Sequence, residues 1–155
     1  MSTAFTLIFL VGAAPFWTLM IVAPTWRWTR RIMSSPWSAT LPLVFWYIFA
    51  LPRMLDLLPR VLKPTLAGWQ ALLTDPGALV FTWAQIIAWD LFVGRWMYLD
   101  SRERGIHPGI MAPLLVLTIM LSPIAVPLYL VVRGPLTRTT PAEPVAEAAV
   151  PVGAL

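Results

Sequence analysis

"WAQIIAWDLFVGRW", residues 83 to 96, decides the fold. It reads as the middle of a long apolar helix, running roughly from residue 76 to 99. A helix needs about 20 mostly apolar residues to cross a bilayer. Yet Asp90 sits about two residues from the centre of this run, and Arg95 about one turn from its end. A charge at the centre of a span costs about 2.5–3.5 kcal/mol, so the two charges need an account.

The rest of the chain agrees with a membrane setting. Of its 155 residues 59% are hydrophobic and 12% charged, against roughly 45–50% and about 25% in soluble domains. Mean hydropathy is +0.76. That deficit of charge cannot cover a water-facing surface. Cysteine is absent, which removes disulfides and thiolate chemistry. The net charge of +4 fits loops beside anionic lipid. No Lys/Arg-rich run with interleaved aromatics points to nucleic acid.

Three further segments qualify as spans: roughly 4 to 25, a second that begins near Trp37 and fades after Pro52, and roughly 108 to 132. The first lacks the positive leader of a signal peptide and reads as a retained span. The expectation is an all-α bundle of four transmembrane helices over residues 1–133. Residues 134–155, rich in Pro, Ala and Glu, form a tail too poor in apolar periodicity to bury a core. It is expected to be disordered unless a partner holds it.

Between the second and third spans, Leu55, Leu58, Leu62, Leu66, Trp69 and Leu73 recur at steps of three and four, one apolar stripe of a helix. Arg60 and Lys63 interrupt it, and Pro59 and Pro64 would kink it. Residues 53–75 are therefore expected to lie along the interface as an amphipathic segment; the plain alternative is a capping loop. Arg27, Arg30, Arg31, Arg95, Arg102 and Arg104 fall on one side of such a bundle, and Arg53, Arg60, Lys63, Arg133 and Arg138 on the other. The cluster after the first helix places the Arg-rich loops in the cytoplasm and both termini outside.

Few residues offer chemistry. The single histidine, His107, lies in the loop "SRERGIHPG" and reads as an interfacial side chain. One His and no Cys make no ligand set for bis-His haem or structural zinc. There is no P-loop and no GxGxxG. In the third span, Trp83, Ile87, Asp90, Gly94 and Met97 share one helical face, and Gln85, Trp89, Phe92 and Trp96 another. Asp90 and Arg95, about 140° apart, do not face each other. Asp90 is expected to face the interior, protonated or paired with a cation, for which Arg53 is the best placed. It is a polar anchor in a lipophilic pocket or an interhelical bond. Arg95 is expected to reach the headgroups or the protein interior near the cytoplasmic end. Gly94 leaves room for a close approach, for helix packing before ligand access. Asp100 to Arg104, "DSRER", reads as a solvated helix end with Gly105 as its cap. Among nine tryptophans, Trp26, Trp28 and Trp37 suit an aromatic belt. Trp17, Trp46, Trp83 and Trp89 lie deeper, in the core or around a flat, conjugated ligand.

"WAQIIAWDLFVGRWMYLDSRERGI", followed by "APLLVLTIMLSPIAVPLYLVVR", resembles the abscisic-acid-deficient-four-like family of small four-span membrane proteins, whose plant members are required for making the carotenoid neoxanthin. The shared pattern comprises Trp83, Asp90, Leu91, Phe92, Gly94, Arg95, Trp96, Asp100, Arg102, Arg104, Gly105, Ile106 and Pro123, all in the C-terminal half. The resemblance implies a carotenoid or other isoprenoid that is either bound or both bound and isomerised, with Asp90, Gln85, Arg95, Trp83, Trp89 and Gly94 as candidate ligand-binding or anchoring residues and no catalytic residue assigned. Relatives carry a histidine two positions after that tryptophan. Here the position is Gln85, which hydrogen-bonds but does not titrate near neutral pH. The competing reading is an accessory subunit among chlorophyll-type pigments and other membrane subunits. The location implied is a bacterial inner membrane or a photosynthetic one. A transporter lacks support, for want of an internal repeat.

Overall fold

The computed structural model describes residues 2–134. The expected tail lies outside the described residues apart from Gly134. Every regular element among the described residues is helical: α1 (Ser2–Gly12), α2 (Ala14–Val22), α3 (Arg27–Ser34), α4 (Leu41–Ala50), α5 (Met54–Leu62), α6 (Leu66–Leu73), α7 (Pro76–Glu103) and α8 (Pro108–Arg133). Short 3₁₀ turns precede α4 at Pro36–Ala39 and α5 at Leu51–Arg53. Four helical runs are long and apolar enough to cross a membrane: Thr3–Val22, Leu41–Leu62, Pro76–Glu103 and Pro108–Arg133. The second continues past Pro52, where it was expected to fade.

α7 is the axis of the molecule. Asp75 caps its start by accepting from the Ala78 N–H at 2.8 Å, with Pro76 at the first helical position, where its missing N–H costs nothing. Its end closes as a Schellman turn. Gly105 takes φ 68°, the Ile106 N–H reaches the Ser101 carbonyl at 2.9 Å, and Ile106 is buried; Gly105 meets the positive φ without a Cβ clash. Ala84, Ile87, Leu91, Gly94, Met97 and Ser101 form its buried stripe, and the small members let neighbouring backbones approach.

α1 and α2 run alongside α7 in its own direction: Phe5 stacks on Trp83 at 4.8 Å, Trp17 lies on Gly94, and the Tyr98 hydroxyl donates to the Pro24 carbonyl at 2.7 Å. α4 runs the other way, from the level of Gln85 and Trp89 past Phe81, which meets Trp46 edge-on, to Arg53 beside Asp75.

The segment 53–75 does not form one continuous helix. It breaks at Lys63–Pro64, and α5 and α6 make a hairpin whose base is closed by Arg53 Nε to Asp75 Oδ2 at 3.2 Å. Pro59 is accommodated within α5. The stripe Leu55, Leu58, Leu62, Leu66 and Leu73 points outward, while Leu57 and Leu72 are buried.

α8 departs most from the expectation. A straight helix of its length would extend about 39 Å and leave Arg133 far from the loop where α8 begins. Instead Leu121 leaves helical geometry (φ −148°, ψ 61°), and the chain folds back. Thr118 meets Met97, Ser122 meets Asp90, and Tyr129 and Arg133 return to Asp100. Pro123 and Pro127 have no N–H for the carbonyls of Ile119 and Pro123, so the ladder is interrupted there. This corrects the expected placement of the ends. α1 starts by the N-terminal half of α7 and α8 finishes by its C-terminal end. Arg133 also joins the Arg95, Arg102 and Arg104 side rather than that of Arg53.

Candidate functional site

The six sequence-predicted residues all lie on α7, but the fold points them at different neighbours. Gln85 and Trp89 line an apolar groove of about 340 Å³ between α7 and the start of α4, together with Pro36, Ala39, Thr40, Leu43, Ala88 and Phe92. Trp89 and Phe92 meet edge-on, centroids 5.9 Å apart, the preferred geometry of paired rings. Both rings are half exposed. Gln85, Thr40 and the Trp89 indole N–H are the hydrogen-bonding groups in the lining. The Thr40 hydroxyl donates to the Trp37 carbonyl at 2.9 Å and the Trp89 indole can only donate, so the Gln85 amide is the group in the lining that can both donate and accept.

Asp90 does not line that groove. It is half-buried against α8, with the Ser122 hydroxyl as its polar neighbour. This corrects the expected pairing with Arg53, which is held by Asp75 and by the Phe49 carbonyl at 3.1 Å. Asp90 lies near the middle of α7, and Arg53 lies at its first turn, too far along the axis to meet it. Ser122 directly follows the break at Leu121, so the carboxylate sits at the tip of the folded α8.

Of the two expected placements, Arg95 takes the one within the protein rather than at the headgroups. Its Nε donates to the Met33 carbonyl and its Nη2 to the Ser34 carbonyl at 3.1 Å. A guanidinium there satisfies the last carbonyls of α3 and complements the negative end of its dipole. Gly94 serves packing: a Cβ built on it would overlap the buried Trp17 indole. Trp83 lies under Phe5, and its Nε1 is buried without an acceptor among the described residues. His107 caps α8, its Nδ1 accepting from the Gly109 N–H at 3.1 Å.

Sequence reasoning missed the polar centre at Asp100. That residue is no solvated helix end. Tyr129 donates to its Oδ2, Arg104 Nε lies 2.9 Å from Oδ2 and Arg133 Nη2 3.0 Å from Oδ1, and its side chain is only 12% exposed. Trp96 packs edge-on to Tyr129 and under the Arg133 guanidinium. The i, i+4 spacing of Asp100 and Arg104 was a signal for one of these partners. The other two depend on the fold of α8.

With this geometry in place, the chain can be set beside known proteins. The family model described as ABA DEFICIENT 4-like matches residues 3–129. The chain is 30% identical over 109 residues to Protein ABA DEFICIENT 4, chloroplastic, of Arabidopsis thaliana. That match covers 64% of this chain and 50% of the relative, so the chain spans about half the length of the curated relative it matches. No solved structure matches.

Proposed function

The chain belongs to the ABA DEFICIENT 4-like family, and from that premise we propose that it is a membrane protein that holds one end of a carotenoid or related isoprenoid in the groove between α4 and α7. The observation that carries this reading is the groove's make-up: apolar walls, two exposed rings and one available amide. Ligand sites are of this kind, mostly apolar with a few placed polar groups. Trp89 and Phe92 offer flat faces to a conjugated chain. Gln85 can both donate to and accept from a ring oxygen such as a hydroxyl or an epoxide.

About 340 Å³ is near the lower limit for ligand pockets. It houses an end group, with the chain continuing over the apolar surface of α4, where Val44, Tyr47 and Ile48 are exposed. Gln85 holds a ligand but does not carry a proton at neutral pH, so the role proposed is binding. Asp90, turned to α8, takes no part in this contact.

The test is the absorption spectrum of the full chain, purified in mild detergent from cells that make carotenoids. A carotenoid band that elutes with the protein, is lost in Trp89→Ala and Gln85→Leu, and survives in Trp83→Phe is the expected result. A colourless protein that migrates with chlorophyll-bearing subunits would instead favour the accessory-subunit reading.

A further inference from the structure

At the end of α7 remote from Asp75, a polar cleft of about 630 Å³ opens between α3 and α7. Arg27, Arg30, Arg31 and Arg102 line it, beside Tyr98 and Ser34, and no acidic residue does. The nearby carboxylate, Asp100, is already engaged by Arg104 and Arg133. Four guanidinium groups around one space, without a counter-charge in its walls, is an arrangement that repels itself unless an anion enters.

The walls are fixed before any ligand arrives. Arg95 holds the end of α3. The Thr29 hydroxyl ties its first turn to the Ala23 carbonyl at 2.8 Å, and Tyr98 closes the back through Pro24. Arg102 is drawn over by donating from Nη2 to the Ile106 carbonyl, while its Nε finds no acceptor among the described residues. The Arg27 and Arg31 guanidinium groups lie over the Trp28 ring, 5.6 and 5.4 Å from its centroid, which limits their freedom.

Depth decides the kind of anion. The cleft follows directly on α2, at the end of an apolar run, and exposed Trp26 lines it. Tryptophans such as Trp26 in its wall and Trp28 beneath Arg27 and Arg31 gather at the level of the lipid headgroups, and arginine forks match phosphate oxygens two at a time. We propose that this cleft binds the phosphate group of an anionic lipid headgroup, a site separate from the apolar groove.

Native mass spectrometry of the full chain in detergent, with phosphatidylglycerol and phosphatidylcholine added in equal amounts, tests the site. Phosphatidylglycerol is expected to stay bound preferentially. Arg30→Gln should weaken that retention about fivefold, the factor for one basic residue removed from an anionic surface, and Arg30→Gln/Arg31→Gln should weaken it further. Arg60→Gln, at the other end of the molecule, should leave it unchanged. Added pyrophosphate separates two sources of the group. Displacement of the lipid assigns recognition to the phosphate alone, soluble esters included; no displacement assigns it to the headgroup as presented by the lipid. Both results keep a phosphate site. Equal retention of the two lipids, or a preference that both arginine variants preserve, overturns it. Melting curves of the same variants guard against loss of fold.

Discussion

Two carboxylates on α7, ten residues and about 15 Å apart along the helix, meet opposite fates. Asp100 is enclosed by a tyrosine and two arginines, with only 12% of its side chain exposed. Asp90 is half-buried and has one neutral partner, Ser122. The second arm of α8 joins them, starting at Asp90 and ending at Asp100. A carboxylate at a helix end can be neutralised by arginines from that helix's own cap and from the end of a neighbouring helix, here Arg104 and Arg133. One at mid-helix has only what the neighbouring helix offers. Here that is a hydroxyl brought into reach by a break in the helix. The first arrangement stores stability in charge pairing. The second depends on where the backbone of α8 stops being regular.

The largest effect to look for concerns the path of α8, because the comparison fails without it. Single cysteines at Ser34, Thr74, Glu103 and Gly134, all exposed sites, can be labelled from either side of sealed vesicles. The folded α8 requires Ser34, Glu103 and Gly134 to label from one side and Thr74 from the other. Glu103 serves better than Ser101, which is buried. If Gly134 labels with Thr74, α8 crosses the bilayer straight, and the contacts of Asp100 with Tyr129 and Arg133 do not form in the membrane.

Next in size is Asp100→Asn. The substitution leaves two arginines around a neutral amide. Breaking a buried ion pair by removing one partner costs about 3–5 kcal/mol, and the partial exposure of both arginines puts the expectation at the lower end. A large fall in melting temperature in detergent is expected, with labelling at Gly134 becoming less defined. A variant that melts like the wild type would remove the contrast with Asp90.

Gly94→Ala follows. The added methyl meets the Trp17 indole, and overpacking of this kind typically costs about 1–3 kcal/mol. The loss should be partly recovered in Gly94→Ala/Trp17→Leu, since the smaller side chain gives way. Additive losses in the double variant would mean that Trp17 and Gly94 do not touch.

Much of this could be read from the chain. The four apolar runs, the start of α7 at Asp75–Pro76 and its stop at Gly105 all carry local signals: length, an N-cap, a glycine past the end. The ends of the segment 53–75, Arg53 and Asp75, are joined to each other, a pairing that no local signal announces. What stayed hidden is non-local. Three prolines in the interior of α8, Pro113, Pro123 and Pro127, announce irregularity, but prolines in apolar helices are often absorbed as kinks, and nothing in the sequence says that the chain reverses at Leu121. Tyr129 and Arg133 could not then be assigned to Asp100, nor Ser122 to Asp90. The candidate site was legible as a helix face, Gln85 with Trp89 and Phe92. The wall opposite, from Pro36 to Leu43, depended on how α4 is set against α7.

The smallest effect belongs to Asp90, and it sharpens the comparison from the other side. The polar neighbour of Asp90 is one neutral hydroxyl, Ser122, and a hydrogen bond between them would be worth about 0.5–1.5 kcal/mol net. Asp90→Asn keeps an acceptor of the same shape for the Ser122 hydroxyl and should melt within a fraction of a kcal/mol of the wild type. Asp90→Leu removes the acceptor, but a serine hydroxyl inside a helix can turn to the carbonyl four residues back. The loss should therefore be near 1 kcal/mol, several times below that of Asp100→Asn. The carotenoid band should persist in both variants, because Asp90 faces α8 and the proposed ligand groove lies on another side of α7. A band lost in Asp90→Asn at unchanged melting temperature would mean that the carboxylate touches the ligand, and the groove assignment would fall. A melting loss as large as that of Asp100→Asn would mean that Asp90 carries a charge partner of its own, and the two carboxylates would no longer differ in kind.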